Sequence, residues 1–310
     1  MRENRLQINV ATGRMTLPVA VLFCLLIWLI GLDSWSELGT LATVALTGYL
    51  MIEANTTFSL VRTRTSLPVC IYWCLFSALG FLHPFQWSCC AVPTFMAAAF
   101  SLFYSYESAR AVFPVFHAFL FLSLGSLAFP QLLYYVPLFL FGAFVFRALS
   151  VKSVFAALFG LLVPYLFLFG HAFWHDEMPL FYAPFQELVS FRPVVWSEVS
   201  VVEWVSWIVV MVLQMVCSVH YFQVSYQDKS RTRIFLFFWL YLSLFTLLFL
   251  LLQPCHLMVL LPIQLIGTSF LAGHLFTLTR NRFASVFFIV MLVSSFLLTC
   301  YNLWMLYFNF

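Results

Sequence analysis

Charge is what this sequence has least of. Only 8% of its 310 residues are Asp, Glu, Lys or Arg, whereas soluble domains carry about 25%. Hydrophobic residues make up 64% of the chain, and its mean hydropathy is +1.01. No water-soluble fold covers so much apolar surface, so the solvent for most of the chain must be lipid. The net charge of +3 is too small to indicate a nucleic-acid partner.

The sequence also lacks a cysteine framework. Most of its eight cysteines lie inside apolar runs, where cysteine usually behaves as a small hydrophobic residue. Cys70 and Cys74 share a helix face, and Cys89 is followed directly by Cys90. Neither pair has a second pair at zinc-finger spacing. We therefore expect no cysteine metal site and no obligatory disulfide, and the sequence points to no cofactor.

Eleven long apolar runs fill most of the chain. A helix needs roughly 20 residues to cross a bilayer, and continuous apolarity is not the alternation that a β-barrel requires. The sequence therefore predicts an all-α, polytopic integral membrane helix bundle, a single transmembrane domain over 1–310, whose first run is a retained span. A long outer loop, 175–203, follows the seventh run. The runs are 16–32, 38–61, 66–82, 86–104, 111–129, 131–147, 153–174, 204–222, 234–253, 257–276 and 283–308.

The basic residues predict the orientation of this bundle. Thirteen of the fourteen Lys and Arg lie before the first run or in every second connection, and only Arg192 lies on the other side. Positive residues are retained on the cytoplasmic side, so we expect eleven crossings with the N-terminus inside and the C-terminus outside. The thirteen are Arg2, Arg5, Arg14, Arg62, Arg64, Arg110, Arg147, Lys152, Lys229, Arg231, Arg233, Arg280 and Arg282.

One group of polar residues suggests a proton relay. Glu53 lies about 13 Å inside the second run by helical rise, and a carboxylate at that depth is a functional candidate. His117 and His274 lie at similar depth in the fifth and tenth runs. Glu53 with one of these histidines would form an inner relay for a proton-coupled transporter. The alternative is a structural hydrogen bond that clamps helices together.

A second group lies at the outer end of the seventh run. His171 and His175 have the i, i+4 spacing of metal ligands on one helix face. Asp176 or Glu177 would add an oxygen ligand, and His83 and His256 also lie at outer helix ends. The alternative is that these histidines simply lie in the membrane interface.

A third group is acidic. Asp33 and Glu37 follow the first run directly on the outer side. Two acids four residues apart suit a general base and a metal ligand. The alternative is that they cap the second helix, as acids at helix starts often do.

The chain resembles two groups of proteins. Four segments resemble an uncharacterised bacterial family of polytopic inner-membrane proteins, which implies a bacterial inner (plasma) membrane location but no activity. The outer acids Asp33 and Glu37, with Arg192 in the late outer loop, resemble the pattern of membrane glycosyltransferases, polymerases and ligases that use lipid-linked sugars. The first resemblance rests on 61–68, 125–130, 146–147 and 160–165.

Three functions follow as hypotheses. The first is a multi-pass inner-membrane protein of unknown activity, with a membrane-protein partner in a cell-envelope complex. The second is an enzyme acting on a polyprenyl-linked glycan at the outer face; the glycosyltransferase resemblance implies catalytic roles for Asp33, Glu37 and Arg192, and the sequence adds His175. The third is the proton-coupled transporter. Whether the protein is an enzyme stays open at this point.

Overall fold

The computed structural model describes residues 5–30, 34–108, 110–190, 199–279 and 281–308. Every regular element within these ranges is a helix, which confirms the all-α prediction. Each apolar run overlaps one of the helices α2–α8 or α10–α13. The helices are α1 (Arg5–Thr12), α2 (Thr16–Ile30), α3 (Glu37–Phe58), α4 (Leu67–Ala78), α5 (Ala91–Phe103), α6 (Val112–Ala128), α7 (Val136–Val145), α8 (Val151–Trp174), α9 (Met178–Val189), α10 (Val201–Val224), α11 (Ser230–Leu252), α12 (Leu257–Leu278) and α13 (Arg282–Phe308).

Within the described residues, five stretches are long and apolar enough to cross a membrane: Val151–Trp174, Val201–Gln227, Ser230–Leu252, Pro254–Leu278 and Arg282–Met305. They identify the chain as a membrane protein. Five other apolar helical stretches have only 10–17 residues. A helix of that length rises about 15–25 Å, less than the roughly 30 Å of hydrocarbon in a bilayer. Helix α3 is long enough to cross a membrane, with 22 residues. It is not among the five stretches, because Glu53, Asn55 and its threonines make it less apolar.

Two helices lie where the sequence predicts no span. Helix α1 precedes the first run. Helix α9 lies in the long connection and begins with Pro179 in its first turn. It packs along α8: the rings of Phe185 and Tyr165 are 5.1 Å apart, and those of Phe181 and Phe169 are 5.3 Å apart. These aromatic contacts explain why a proline-containing segment is helical.

The chain forms two compact units. Unit 1 comprises Met1–Phe85 and Val195–Phe310, and unit 2 comprises Gln86–Val194. Helix α12 is the core of unit 1, because 83% of its apolar stretch is buried and it packs against α4, α10 and α11. Gly267 lets α11 approach closely, since a Cβ at this position would lie 1.9 Å from Oγ of Ser243.

Unit 2 is built around α6, which packs against α5 on one side and α8 on another. A Cβ at Gly160 of α8 would lie 2.6 Å from the carbonyl oxygen of Phe116, so glycine is required for this approach. Ser150 begins α8 with a reciprocal capping box to Ser153. In unit 1, Ser200 and Glu203 begin α10 in the same way. Such caps stop fraying at helix starts.

Candidate functional site

Only two of the four residues of the proposed outer catalytic group lie in the described part of the chain. Glu37 begins α3 in unit 1 and is buried, and its Oε2 has no hydrogen-bond partner among the described residues. His175 ends α8 in unit 2 and is exposed. Asp33 and Arg192 lie outside the described residues. The glycan-enzyme hypothesis and the envelope-complex hypothesis therefore stay predictions.

The two histidines of the candidate metal site do lie side by side. The rings of His171 and His175 have centroids 4.5 Å apart. Asp176 follows with a φ of 57°, in the left-handed region that often ends a helix. Within the described ranges, no three His, Cys, Asp or Glu residues are grouped so that they could hold a metal ion. Two exposed histidines alone do not complete a site of three or more ligands.

The relay of Glu53, His117 and His274 stays a prediction, because its residues are divided between the two units. Glu53 is half-buried in α3 and makes no hydrogen bond or ion pair through its carboxylate within the described part of unit 1. His117 belongs to unit 2, where it lines an open cavity of about 400 Å³ with Tyr104 and Arg110. Within the described residues, His274 is the one relay residue that has an acidic partner. That partner is Asp228, which the relay hypothesis did not include.

Asp228 and His274 form a buried hydrogen-bonded pair in unit 1. Oδ2 of Asp228 lies 2.9 Å from Nε2 of His274, and the side chains are 5% and 1% exposed. Asp228 lies in extended backbone just before α11, whereas His274 lies near the end of α12. The ring of Tyr221 from α10 meets the imidazole edge-on at 5.1 Å. Three elements therefore fix the orientation of the imidazole.

The second ring nitrogen of His274 is unused. Its Nδ1 is buried and has no hydrogen-bond partner in the described ranges. Beside it, His220 of α10 interacts electrostatically with His274 and pairs through Nε2 with Oγ1 of Thr279 at 3.1 Å. Nδ1 of His220 is likewise without a described partner. A buried polar atom normally has a partner, so these two unpartnered nitrogens are exceptions.

Unit 1 also contains a set of buried polar side chains on its long helices. We call Ser206, Gln214, Ser218, Gln264 and Asn302 the polar seam; all five are buried. They lie on α10, α12 and α13. Ser206 and His220 are 14 residues apart in α10, which is about 21 Å of helical rise. This length is about two thirds of the roughly 30 Å of hydrocarbon in a bilayer.

Hydrogen bonds join the seam across helices. Nε2 of Gln264 donates to Oε1 of Gln214 at 2.5 Å, and Nε1 of Trp207 donates to Oε1 of Gln264 at 3.3 Å. Nδ2 of Asn302 donates to Oγ of Ser206 at 3.2 Å. Three seam atoms have no partner among the residues described: Nε2 of Gln214, Oγ of Ser218 and Oδ1 of Asn302. Buried sites of this kind are those that ordered water occupies.

The sequence analysis missed Asp228 and both glutamines. A signal for the glutamines is present, because each interrupts an otherwise apolar run, and polar residues inside spans are functional candidates. Asp228 carries no such signal. It precedes Lys229 in a basic connection, where an acidic residue is normally exposed. Its burial is evident only from the fold.

Comparison of the chain with protein-family models, with curated proteins and with solved structures found no match. The interpretation of this site therefore depends on its own chemistry.

Proposed function

We propose that this protein is a proton-coupled membrane transporter and that Asp228 and His274 form its proton-binding site. The observation that carries the proposal is the burial of this pair together with the unused Nδ1 of His274. A charge inside a membrane protein is expensive and is retained mainly where it is paired or functional.

The pair suits reversible proton binding. When Nε2 of His274 carries the hydrogen that bonds to Asp228, Nδ1 carries a lone pair and has no described hydrogen-bond partner. Nδ1 can then accept a proton. The imidazolium that forms is compensated by the Asp228 carboxylate 2.9 Å away.

The polar seam supplies a route from this site. Its hydroxyl and amide groups lie between α10, α12 and α13 and can bind the water that a proton path needs. In the proposed topology the chain crosses a bacterial inner membrane eleven times, with its N-terminus inside. The Asp228–His274 pair then lies near the cytoplasmic face, and Ser206 and Asn302 lie toward the outer face.

Charge displacement after a pH jump tests the proposal without knowledge of the transported substrate. The purified protein is reconstituted in liposomes on a solid-supported membrane, and the transient current is recorded when the outer pH changes by one unit. We expect the native protein to give a current, because protons enter the membrane to reach Asp228 and His274. The Asp228→Asn variant should give a current no larger than that of empty liposomes.

Removal of one member of a buried pair also threatens folding, at a cost of about 3–5 kcal/mol. The double variant Asp228→Asn/His274→Gln avoids this problem, because an amide pair can keep a neutral hydrogen bond. The control is Glu107→Gln, which neutralises an exposed carboxylate in unit 2. A native current in a correctly folded double variant would rule out the pair as the proton site. A native protein that gives no current would rule out the function.

A further inference from the structure

An apolar groove runs along the surface of unit 1. Its volume is about 540 Å³, within the roughly 300–1,000 Å³ of ligand pockets. Three helices each line it with one stripe at helical spacing: α2 from Thr16 to Phe23, α4 from Leu67 to Leu75, and α13 from Phe288 to Phe296. The α4 and α13 stripes each rise about 12 Å, close to the depth of one leaflet's hydrocarbon, about half of 30 Å.

One end of the groove is polar. Asn9 and Gly13, at α1 and its end, line it together with Thr16. Helix α1 is held in place there because Oγ1 of Thr65 donates to the carbonyl oxygen of Ala11 at 2.5 Å. This bond brings the connection before α4 to the same end of the groove as α1.

Two arginines are close in sequence to the residues at that end. Arg14 lies between Gly13 and Met15, which both line the groove. Arg64 precedes Thr65, whose side chain holds α1. Both arginines are exposed and form no ion pair within the described part of the chain. An apolar groove of one-leaflet depth, with unpaired cations next in sequence to the residues at one end, has the charge and shape of a site for a lipid with an anionic headgroup.

We propose that this groove binds one acidic glycerophospholipid from the adjacent leaflet. An acyl chain lies between the stripes of α2, α4 and α13, and the headgroup phosphate lies against Arg14 and Arg64. Guanidinium groups suit this role because they bind phosphate oxygens in a bidentate manner. The proposal does not depend on proton transport, because neither Asp228 nor His274 lines the groove.

Photo-crosslinking in nanodiscs tests the site. The protein is reconstituted in phosphatidylcholine that contains a trace of either phosphatidylglycerol or phosphatidylcholine with a photoactivatable acyl chain, and the labelled peptides are mapped. We expect the phosphatidylglycerol probe to label the three groove stripes in preference to other lipid-facing surfaces. The variant Arg14→Gln/Arg64→Gln should lower that labelling at least about fivefold and leave the phosphatidylcholine probe unaffected.

Two matched controls separate the groove from general membrane contact. The variant Arg110→Gln/Lys152→Gln removes the same charge from exposed positions of unit 2 and should retain the labelling. Val19→Trp fills the groove, whereas Val219→Trp adds equal bulk to an exposed position of α10 outside it; only the former should reduce labelling. Labelling spread evenly over all exposed helices, or equal labelling by both probes, would overturn the proposal. Crosslinks between two copies through the groove would also overturn it.

Discussion

The imidazole of His83 stacks on the indole of Trp28, with ring centroids 4.0 Å apart and planes inclined by 17°. Nε1 of Trp28 donates to Oγ of Ser77 at 3.2 Å, which fixes the indole against α4. His83 follows α4 and is only 4% exposed. Because burial disfavours the charged form, the pKa of His83 is lowered to about 4.

The first prediction is that the protein loses stability as the pH falls from about 6.5 to about 4. An unfolded histidine has a pKa near 6.5, so in this window the unfolded chain binds a proton that folded His83 does not. Stability therefore rises with pH across the window and is lost as the pH falls. The shift from 6.5 to about 4 corresponds to on the order of 3 kcal/mol below the lower value.

The His83→Phe variant isolates this effect, because phenylalanine can stack on Trp28 but cannot be protonated. The measurement is the unfolding temperature in detergent, followed by tryptophan fluorescence at intervals between pH 7 and pH 4. The difference between native and variant should grow in favour of the variant as the pH falls. A constant difference across the range would contradict the prediction.

A second prediction concerns the two glutamines of the polar seam. Gln214→Leu leaves Nε2 of Gln264 without its acceptor, and an unsatisfied buried polar group costs about 1–3 kcal/mol. The double variant Gln214→Leu/Gln264→Leu removes both partners, so it should be more stable than the sum of the single losses implies. Thermal unfolding of the native protein, of Gln214→Leu, of Gln264→Leu and of the double variant measures the coupling between the two glutamines. Additive losses of stability would argue against a direct hydrogen bond.

The double glutamine variant also distinguishes a clamp from a proton path. Apolar side chains can hold α10 and α12 together, but they cannot bind water. A variant with native stability and a slower charge displacement after the pH jump is the expected outcome. Native stability with an unchanged current would leave these glutamines with a structural role only.

The helices were predictable because hydropathy alone determines which segments avoid water. Every apolar run overlaps a helix, and the boundaries of α8 and α12 differ from the runs 153–174 and 257–276 by only two residues at one end. Helices α1 and α9 were not predicted, because their stability depends on particular contacts such as Phe181 with Phe169. A hydropathy profile is built from the values of single residues, so it contains no information about contacts between particular side chains.

The candidate site was less predictable than the fold. His274 was identified by its depth in a span, but the sequence suggested Glu53 as the partner of either His117 or His274, and the structure pairs His274 with Asp228. Depth along one helix says nothing about rotation around it or about which connection folds over its end. The partner of a buried histidine therefore depends on tertiary packing.

A third prediction concerns Gln7, which docks α1 on the rest of unit 1. Its Nε2 donates to the carbonyl oxygens of Phe276 at 2.7 Å and Thr279 at 3.0 Å, and its Oε1 accepts from Oγ of Ser285 at 2.6 Å. The carbonyls at the end of a helix have no partner within that helix, so Gln7 completes the end of α12. Gln7→Leu should destabilise unit 1 by about 1–3 kcal/mol.

Hydrogen exchange measured by mass spectrometry checks this role. Faster exchange is expected in Arg5–Thr12 and near the junction of α12 and α13, because both lose their mutual bonds. Thr12→Val is the control, since its hydroxyl bonds only to Ile8 within α1. Unchanged exchange in the Gln7 variant would mean that α1 is held by other contacts.

The fourth prediction concerns the shortest helices, on which the number of crossings depends. Helix α4 has 12 residues and rises about 18 Å, so the apolar run 66–82 crosses the bilayer only if the chain after Ala78 continues through it. The 3-10 helix Gly80–Leu82 supplies part of that length. The topology with eleven crossings expects Arg64 inside, Pro84 outside and Arg110 inside.

Single cysteines in an otherwise cysteine-free chain test this order with a membrane-impermeant maleimide on intact cells. All three positions are exposed. Pro84→Cys should be labelled directly, whereas Arg64→Cys and Arg110→Cys should be labelled only after permeabilisation. The matched pair Lys152→Cys and Glu177→Cys flanks α8, whose 24 residues are long enough to span, and should report opposite sides. If Pro84→Cys behaves like Arg64→Cys while the α8 pair differs, then α4 and α5 enter and leave on one side, and the chain has nine crossings.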